Sequence, residues 1–360
     1  MEICVDLWHK SVSSNMKYLR PFSSVLSALF LSLTSIVAYP SETMSVASTE
    51  PVAQAEDSLV SVIAWFNKRD TMTYWINESK WAFDGQDTLK NMDVSTKVMI
   101  NVLDSTKKGY RMEYRFMDFG MDTAAAGMTS GFIGDIMETL RNKVVGTTVK
   151  FRTDEVGQIT KIDNEGELRK QAKSVLADVI GAMPFVDSLA AVGIRTDKLL
   201  KGIDADMMVD SYIEELEMLF QCHGNQYSIG ETSSHNEATD TEYASDTYMA
   251  VWSDPESYKY EIVVDINNYI PREDIRNMLG DLVDIFLEGD VADSVRLEMD
   301  SGFEGSVKED AVYNSYLYIS YFPDGWPEEL VYQETVRIGD KGKADQKYIV
   351  WDYRSIGNFD

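Results

Sequence analysis

Apolar and polar side chains alternate along much of the chain, which predicts strands that bury one face and leave the other in water. The clearest stretch is residues 110–116, where every second residue is apolar. Residues 94–102 alternate in the same way, and a turn with a glycine at 105–109 lies between the two stretches. Because a short turn forces antiparallel pairing, we predict a hairpin over residues 92–119.

The same alternation predicts about a dozen strands in total. Besides the hairpin above, they are expected at residues 147–153, 158–162, 243–267, 293–300, 313–322, 330–338 and 347–353. Residues 323–327, with the sequence Pro-Asp-Gly-Trp-Pro, have the composition of a turn between two of these strands.

Apolar residues spaced three and four apart predict four amphipathic helices, at residues 131–145, 164–183, 209–220 and 271–288. A further short helix is predicted over residues 58–67. Amphipathic helices, and strands with one solvent-exposed face, must bury their apolar sides against each other. The predicted fold class is therefore α+β, with a curved antiparallel sheet of about 12 strands and about four helices on its concave face.

The chain divides into four predicted segments. Residues 1–47 form a signal peptide region, residues 48–69 a lead-in with the short helix, and residues 70–223 and 224–360 two hairpin-and-helix halves. The order hairpin, helix, strand recurs in both halves, which fits either a tandem repeat or one continuous domain. The boundary is expected within residues 224–246, which are rich in Ser, Thr, Asn and acidic residues.

The N-terminal residues have the pattern of an exported protein. Lys17 and Arg20 precede an apolar run at residues 22–37, and small residues follow it, which is the order of a secretory signal peptide. The run is shorter than the roughly 18–20 residues that span a bilayer. Translation starts at either Met1 or Met16. We expect delivery to the periplasm, the cell surface or the medium, with no transmembrane segment after cleavage.

The charge of the chain restricts its partners. A formal net charge of -27, from 60 acidic and 33 basic residues, disfavours nucleic acid and anionic lipid surfaces, both of which need basic protein surfaces. After cleavage only Cys222 remains of the two cysteines. No internal disulfide is then expected, and Cys222 is interpreted as a buried small apolar residue.

The sequence contains no local motif for catalysis or cofactor binding. HExxH, CxxC, GxGxxG and Walker A patterns do not occur in it, so we predict no catalytic residue, no metal site and no cofactor. His223 follows Cys222 at the end of a predicted helix, where a capping role is favoured over a Cys-His pair. His235 and the acidic residues Glu237, Asp240, Glu242 and Asp246 are interpreted as a solvated loop.

Aromatic residues are the remaining candidates for binding. Trp75, Trp81, Trp326 and Trp351 lie in two aromatic-rich regions near the ends of the predicted mature chain. Their rings could stack on sugars or line an apolar cavity. Ordinary packing within a sheet is the alternative, because strands favour aromatic residues in any case.

Residues 145–151 (VGTTVKF) and 157–162 (GQITKI), followed by a helix from about Leu168 and preceded by the hairpin at 98–116, resemble a family of secreted bacterial domains of unknown function. The resemblance covers roughly residues 70–290. It implies the curved-sheet architecture of periplasmic lipoprotein carriers and supplies no catalytic residues. The chain lacks the lipoprotein cysteine, which would otherwise follow the apolar run.

Three functional hypotheses follow from these observations. The first is an exported, non-enzymatic binding protein that holds a hydrophobic small molecule in an apolar groove. The second is an envelope or surface module that recognises protein or glycan through aromatic residues. The third is a hydrolase that uses Asp and Glu as its catalytic residues, although no local motif in the sequence indicates one.

Overall fold

The computed structural model describes residues 59–85, 87–121, 141–181, 205–287 and 289–357. The predicted signal peptide region at 1–47 lies outside these residues, as does most of the predicted helix at 131–145. Of that helix, residues 141–144 are described and are helical.

One large antiparallel sheet dominates the molecule. It has 11 strands in the order β6-β5-β4-β3-β2-β13-β12-β11-β10-β9-β8, and β1 and β7 form a separate two-stranded sheet. The strands are β1 (Leu59–Ser61), β2 (Thr71–Asp84), β3 (Asp87–Thr106), β4 (Gly109–Met121), β5 (Thr148–Thr153), β6 (Ile159–Ile162), β7 (Gln226–Ser228), β8 (Gly230–Asn236), β9 (Ala244–Ser253), β10 (Tyr260–Ile270), β11 (Ala311–Tyr321), β12 (Pro327–Ile338) and β13 (Lys341–Ser355).

Within the described ranges, four longer helices accompany the sheet: α1 (Glu165–Gly181), α2 (Ala205–Phe220), α3 (Arg272–Phe286) and α4 (Gly289–Ser306). The α+β class and the antiparallel pairing predicted from the sequence are thus confirmed. The helices predicted at 164–183, 209–220 and 271–288 correspond to α1, α2 and α3.

Two local predictions differ from the structure. Residues 293–300, predicted as a strand, belong to helix α4. Within the helix predicted at residues 58–67, residues 59–61 form the short strand β1 and residues 62–67 form neither helix nor strand. The predicted boundary at residues 224–246 contains β7 and β8, and β8 pairs with β9 at one edge of the large sheet.

The two faces of the large sheet are assigned by its register, because paired residues on neighbouring strands point to the same side. We call the face that packs against α2 the inner face and the opposite one the outer face. One row on the inner face is entirely apolar and crosses six strands. It consists of Ile76, Ile349, Leu330, Ile319, Ile262 and Val251.

Helix α2 covers this apolar part of the inner face. The ring of Tyr212 lies 5.7 Å from that of Phe116 on β4, and the ring of Phe220 lies 5.7 Å from that of Phe151 on β5. Leu216 and Leu219 are completely enclosed in the same cluster. We call this region, together with the turn that holds Trp326, the core end of the sheet.

Strand β13 lies in the middle of the sheet, between β2 and β12. Its register joins Ser355 to Thr71 and Ile349 to Ile76. Strands from the two predicted halves are therefore bonded directly to each other within one continuous sheet.

Candidate functional site

The inner face changes from apolar to polar along the strands. Next to the apolar row lies a mixed row that contains Glu78, Lys347 and Tyr332. Beyond it, the paired residues Lys80, Asp345, Glu334, Ser315, Ile266 and Thr247 form a row that is mostly polar. We call this region of the inner face the polar end. Helices α3 and α4 are inserted between β10 and β11 at this same end.

A buried charge cluster marks the border between the two ends. The ammonium nitrogen Nζ of Lys347 lies 2.5 Å from Oε1 of Glu215 and 3.2 Å from Oε2 of Glu214, both on α2. Burial by itself would lower the pKa of Lys347, but Glu215, Glu78 and Glu214 together raise it. The lysine therefore stays charged and fastens α2 to the sheet.

The three carboxylates of this cluster compete for one ammonium group. Burial raises the pKa of Glu215, and the charges of Glu78 and Glu214 raise it further, while Lys347 opposes both. A buried carboxylate that shares its counter-ion is costly to keep ionised. Protonation of Glu215 in acid therefore relieves the repulsion within the cluster.

Two tyrosines and a glutamate lie next to the charge cluster. The hydroxyl groups of Tyr313 and Tyr332 both donate to Oε1 of Glu334, at 2.5 and 2.8 Å. Burial, followed by the nearby charge of Glu334, raises the pKa of Tyr332. Glu334 is thus held as an acceptor between two phenol hydroxyl groups.

Several polar groups on the inner face are buried without a hydrogen-bond partner among the described residues. Three of them lie at the polar end: Nδ2 of Asn268 on β10, Oγ1 of Thr247 on β9 and Oγ of Ser315 on β11. A buried donor or acceptor that stays unpaired costs about 1–3 kcal/mol. A polar group of a bound molecule would be stabilised at these positions.

The helical hairpin of α3 and α4 keeps much of its apolar surface accessible. Leu297 is 75% exposed. Four further apolar residues of the hairpin are also exposed: Leu279, Ile285, Val291 and Val295. Among the described side chains of the hairpin, Val283, Ala292 and Phe303 are the buried apolar ones, and none of the three belongs to the main core cluster.

Ion pairs hold the two helices of the hairpin together. Arg276 on α3 contacts Asp300 at 2.9 Å and Glu304 at 3.3 Å, both on α4. Arg272 contacts Glu304 at 2.7 Å and donates from Nε to the carbonyl of Val307. Exposed pairs of this kind add little stability, but they fix which residues of α3 and α4 lie opposite each other.

The four predicted tryptophans are not brought together. Trp75 and Trp81 lie on the outer face of β2, where Lys97 and Lys90 sit 5.0 and 5.2 Å from their ring centres. Trp326 is 1% exposed and stacks on Phe66 at 4.1 Å within the core. Trp351 lies against Phe322 at 5.4 Å and is partly exposed. Their role in ligand binding remains a prediction.

Cys222 and His223 are both parts of the core. Cys222 is buried, as predicted. His223 stacks on Phe220, and its Nε2 lies 3.0 Å from the carbonyl oxygen of Gly325. Because a carbonyl only accepts, Nε2 carries the proton of the neutral ring. Burial lowers the pKa of His223 to about 4. The ring thus bonds a carbonyl of the 323–327 turn, and it also interacts with the backbone of Phe220 at the end of α2.

His235 lies on strand β8 rather than in a loop. Its Nδ1 donates to Oδ1 of Asp246 on β9 at 2.7 Å. Within the described part of the chain, no group of three or more His, Cys, Asp or Glu side chains is arranged to hold a metal ion.

Sequence reasoning did not identify the charge cluster of Lys347. Lys347 is one of 33 basic residues, and its partners lie more than 130 positions away on α2. The available signal was local: Glu78 and Lys80 interrupt the apolar alternation of Met72, Tyr74 and Ile76 on one strand. Polar residues on the buried side of a strand indicate a special environment.

Comparisons with known proteins give no family for the chain. No family model and no curated protein sequence matches it, so the resemblance to secreted bacterial domains remains a prediction. Among solved structures, a lipovitellin chain from a study of lipid–protein interactions is similar over 82% of this chain, with 8% sequence identity and a TM-score of 0.36. This chain covers 26% of that lipovitellin chain.

An outer membrane channel from Pseudomonas putida F1 is similar over 84% of this chain, with 8% identity and a TM-score of 0.12. None of the helices in the described part of the chain has the length and apolar composition needed to cross a bilayer.

Proposed function

We propose that this protein is an exported, non-enzymatic binding protein that holds a hydrophobic small molecule at the helical hairpin, beside the polar end of the inner face. The observation that carries the proposal is the accessible apolar surface of α3 and α4. Exposed apolar residues that cluster on one element mark an interaction site more often than scattered ones.

The surroundings of the hairpin support a small molecule as the ligand. Val336, which shares an inner-face row with Tyr313 and Asn268, is exposed at the same end of the sheet. The ligand would place apolar groups against the hairpin and Val336, and a polar group near Asn268 and Thr247. A molecule with both kinds of group satisfies both surfaces at once.

The charge of the hairpin restricts the ligand further. Helices α3 and α4 carry nine acidic and three basic residues. An anionic lipid or fatty acid would be repelled by this surface, whereas a neutral or cationic apolar molecule would not. Export is supported by the N-terminal pattern of Lys17, Arg20 and the apolar run at 22–37.

The test compares two apolar dyes that differ in charge. The neutral dye N-phenyl-1-naphthylamine should bind with increased fluorescence, and the anionic dye 8-anilinonaphthalene-1-sulfonate should bind much more weakly. Leu297→Ser should reduce binding of the neutral dye about fivefold, since it removes apolar area at the site. Leu59→Ser is the matched control, because Leu59 is a leucine on β1 with 60% exposure.

Native mass spectrometry of protein from its own host gives an independent readout. We expect a co-purifying neutral or cationic apolar molecule. A protein that carries none, binds neither dye, or loses dye binding equally in both variants would contradict the proposal. Turnover in a broad glycosidase and esterase screen would contradict its non-enzymatic part.

A further inference from the structure

A cleft lies on the outer face of the sheet, opposite the site proposed above. It has a volume of about 310 Å³ and is formed by strands β8, β9 and β10. Two cross-strand rows build its floor. One contains His235, Asp246 and Asn267, and the other contains Ser233, Tyr248 and Asp265. We call it the outer cleft.

Hydrogen bonds fix the acceptors of the outer cleft in place. Asp246 accepts from Nδ1 of His235 at 2.7 Å and from the hydroxyl of Tyr269 at 2.5 Å. Asn314, on the next strand, donates from Nδ2 to Oδ1 of Asp265 at 2.5 Å and to Oδ1 of Asn267 at 3.1 Å. Groups held by neighbours lose little entropy when a ligand binds them.

An aromatic ring lies among these polar groups. Tyr248 is half-buried and pairs with Ser233 on one side and Asp265 on the other. Tyr316 follows in the same outer row, two strands away and therefore roughly 10 Å distant at a strand spacing of about 4.8 Å. An aromatic ring offers an apolar face with a polar edge.

The charge around the outer cleft selects against anions. Asp246 and Asp265 lie within it, and Glu237 approaches Nε2 of His235 at 3.6 Å. Phosphates, sulfates and uronic acids would be repelled here. A ligand rich in hydroxyl groups matches the cleft better, because each hydroxyl can donate to a carboxylate or an amide oxygen.

Asp246 is suited to accepting hydrogen bonds rather than to donating a proton. Hydrogen bonds from Tyr269 and His235 lower the pKa of Asp246. Glycoside cleavage needs one carboxylic acid whose pKa is raised, so that it can protonate the leaving oxygen. Asp246 is shifted in the opposite direction and serves as a fixed acceptor.

We propose that the outer cleft binds a neutral oligosaccharide, with the sugar stacked on Tyr248 and its hydroxyl groups donating to Asp246, Asp265 and Asn267. The site is independent of the hydrophobic site on the hairpin. A protein with both sites would join a hydrophobic ligand to a glycan surface.

The experiment measures binding of neutral oligosaccharides of glucose, mannose, xylose and N-acetylglucosamine to the mature chain by isothermal titration calorimetry and NMR. We expect at least one of them to bind with a dissociation constant of about 1 mM or below. Tyr248→Ala should weaken that binding about tenfold or more, and His235→Ala should weaken it several-fold.

Trp252→Ala is the matched control for the aromatic change. Trp252 lies on the same outer face of β9 and is 41% exposed, but it lies four residues beyond Tyr248 along that strand. This variant should bind normally. His235 is exposed at the edge of the sheet, so its variant tests the site even if Tyr248→Ala fails to fold, and the NMR signals of His235 should move when the sugar is added.

Three results would overturn the proposal. One is that no neutral sugar binds at millimolar concentration. The second is that binding is equal in His235→Ala, Tyr248→Ala and the wild type, or is lost in Trp252→Ala alone. The third is that only charged probes, such as calcium ions or a sulfated sugar, move the His235 signals.

Discussion

At the scale of single residues, the molecule is organised around a few buried polar groups. The ion pair of Lys347 and Glu215 joins helix α2 to the sheet, because Lys347 lies on the central strand β13. His223 joins the end of α2 to the 323–327 turn. Each pair bridges segments far apart in sequence, so each contributes to the tertiary arrangement rather than to local structure.

Replacing Lys347 by Met should destabilise the protein. The change leaves Glu78, Glu214 and Glu215 without their shared ammonium group, and breaking a buried pair costs about 3 kcal/mol or more. The deficit should shrink in acid, because burial raises the pKa of Glu215 and protonation removes the repulsion. Urea unfolding at pH 7 and pH 4 measures both effects.

The control for this variant is Lys343→Met, which removes an exposed lysine from the same strand. It should change the unfolding free energy by less than about 0.5 kcal/mol. Equal stability of the two variants at pH 7 would mean that the charge cluster contributes nothing to the fold.

Because His223 is buried, we expect the protein to lose stability in acid. Its pKa is lowered by burial to about 4 in the folded chain, against about 6.5 when unfolded. Between these values the unfolded chain binds the extra proton, so the unfolding free energy should fall by about 1 kcal/mol per unit as pH drops from 6.5 to 4. His223→Asn should flatten this slope.

His235 provides the contrast, since hydrogen bonding to Asp246 raises its pKa. His235→Asn should leave the acid slope in place. If His235→Asn flattened the slope and His223→Asn did not, the assignment of the acid response to His223 would be wrong.

At the scale of secondary-structure elements, the sequence predicts strands correctly where one face of the strand is apolar. Strands β4, β5, β10 and β11 were predicted because inward-facing apolar residues alternate with polar ones along them. Strand β2 was not predicted. Its second half carries Glu78 and Lys80 on the inner face, so the alternation disappears where the sheet becomes polar.

The two wrong elements have separate physical reasons. Residues 293–300 contain Val295, Leu297 and Met299, which alternate like a strand, while Val291 and Val295 also fit a helical spacing. Near the start of the described chain, Val60, Val62, Ala64 and Phe66 are all buried. This spacing of two indicates an extended segment, and the helix was predicted from Val60, Ile63 and Ala64 instead.

The charge cluster and the outer cleft could be predicted only in part. The residue types are visible in the sequence. However, it is the register of β8, β9 and β10 that places His235, Asp246 and Asn267 next to each other. Register depends on long-range packing, and a shift by one residue would send these side chains to the opposite face.

The glycines of the helical hairpin provide a prediction for its stability. Gly280 lies inside α3, and a Cβ added there would meet nothing within 4 Å. Gly280→Ala should therefore stabilise the hairpin by roughly 0.5–1 kcal/mol, which slower hydrogen exchange of α3 would report.

Gly325 is the counter-example and serves as the control. It has a φ of +82°, and a Cβ there would lie 2.3 Å from the carbonyl oxygen of Ile63. Gly325→Ala should destabilise the core end of the sheet. Faster exchange in α3 of Gly280→Ala would show that flexibility at Gly280 is required by the fold.

At the scale of the whole molecule, the sheet depends on distant pairing. Strand β13 bonds to β2 and to β12, and Thr71 pairs with Ser355. Contacts between residues so far apart in sequence slow folding, because the intervening chain must be ordered before they form.

Removing residues 341–360 should abolish cooperative unfolding, since β2 and β12 then lose their common neighbour. Removing only residues 358–360 should leave it intact. Circular dichroism and tryptophan fluorescence should report one shared transition for the intact chain. A stable, cooperatively unfolding protein without β13 would show that the two halves fold independently.

The sheet is open, and β8 is one of its two outermost strands. All seven residues of β8 are exposed. Apart from one glycine, every residue in its sequence, Gly-Glu-Thr-Ser-Ser-His-Asn, has a polar or charged side chain. Unpaired backbone groups on an outermost strand can recruit a strand from another molecule and start fibre growth, a tendency that charged and polar side chains counteract. We therefore expect the polar strand that borders the outer cleft to disfavour fibre growth from that edge of the sheet.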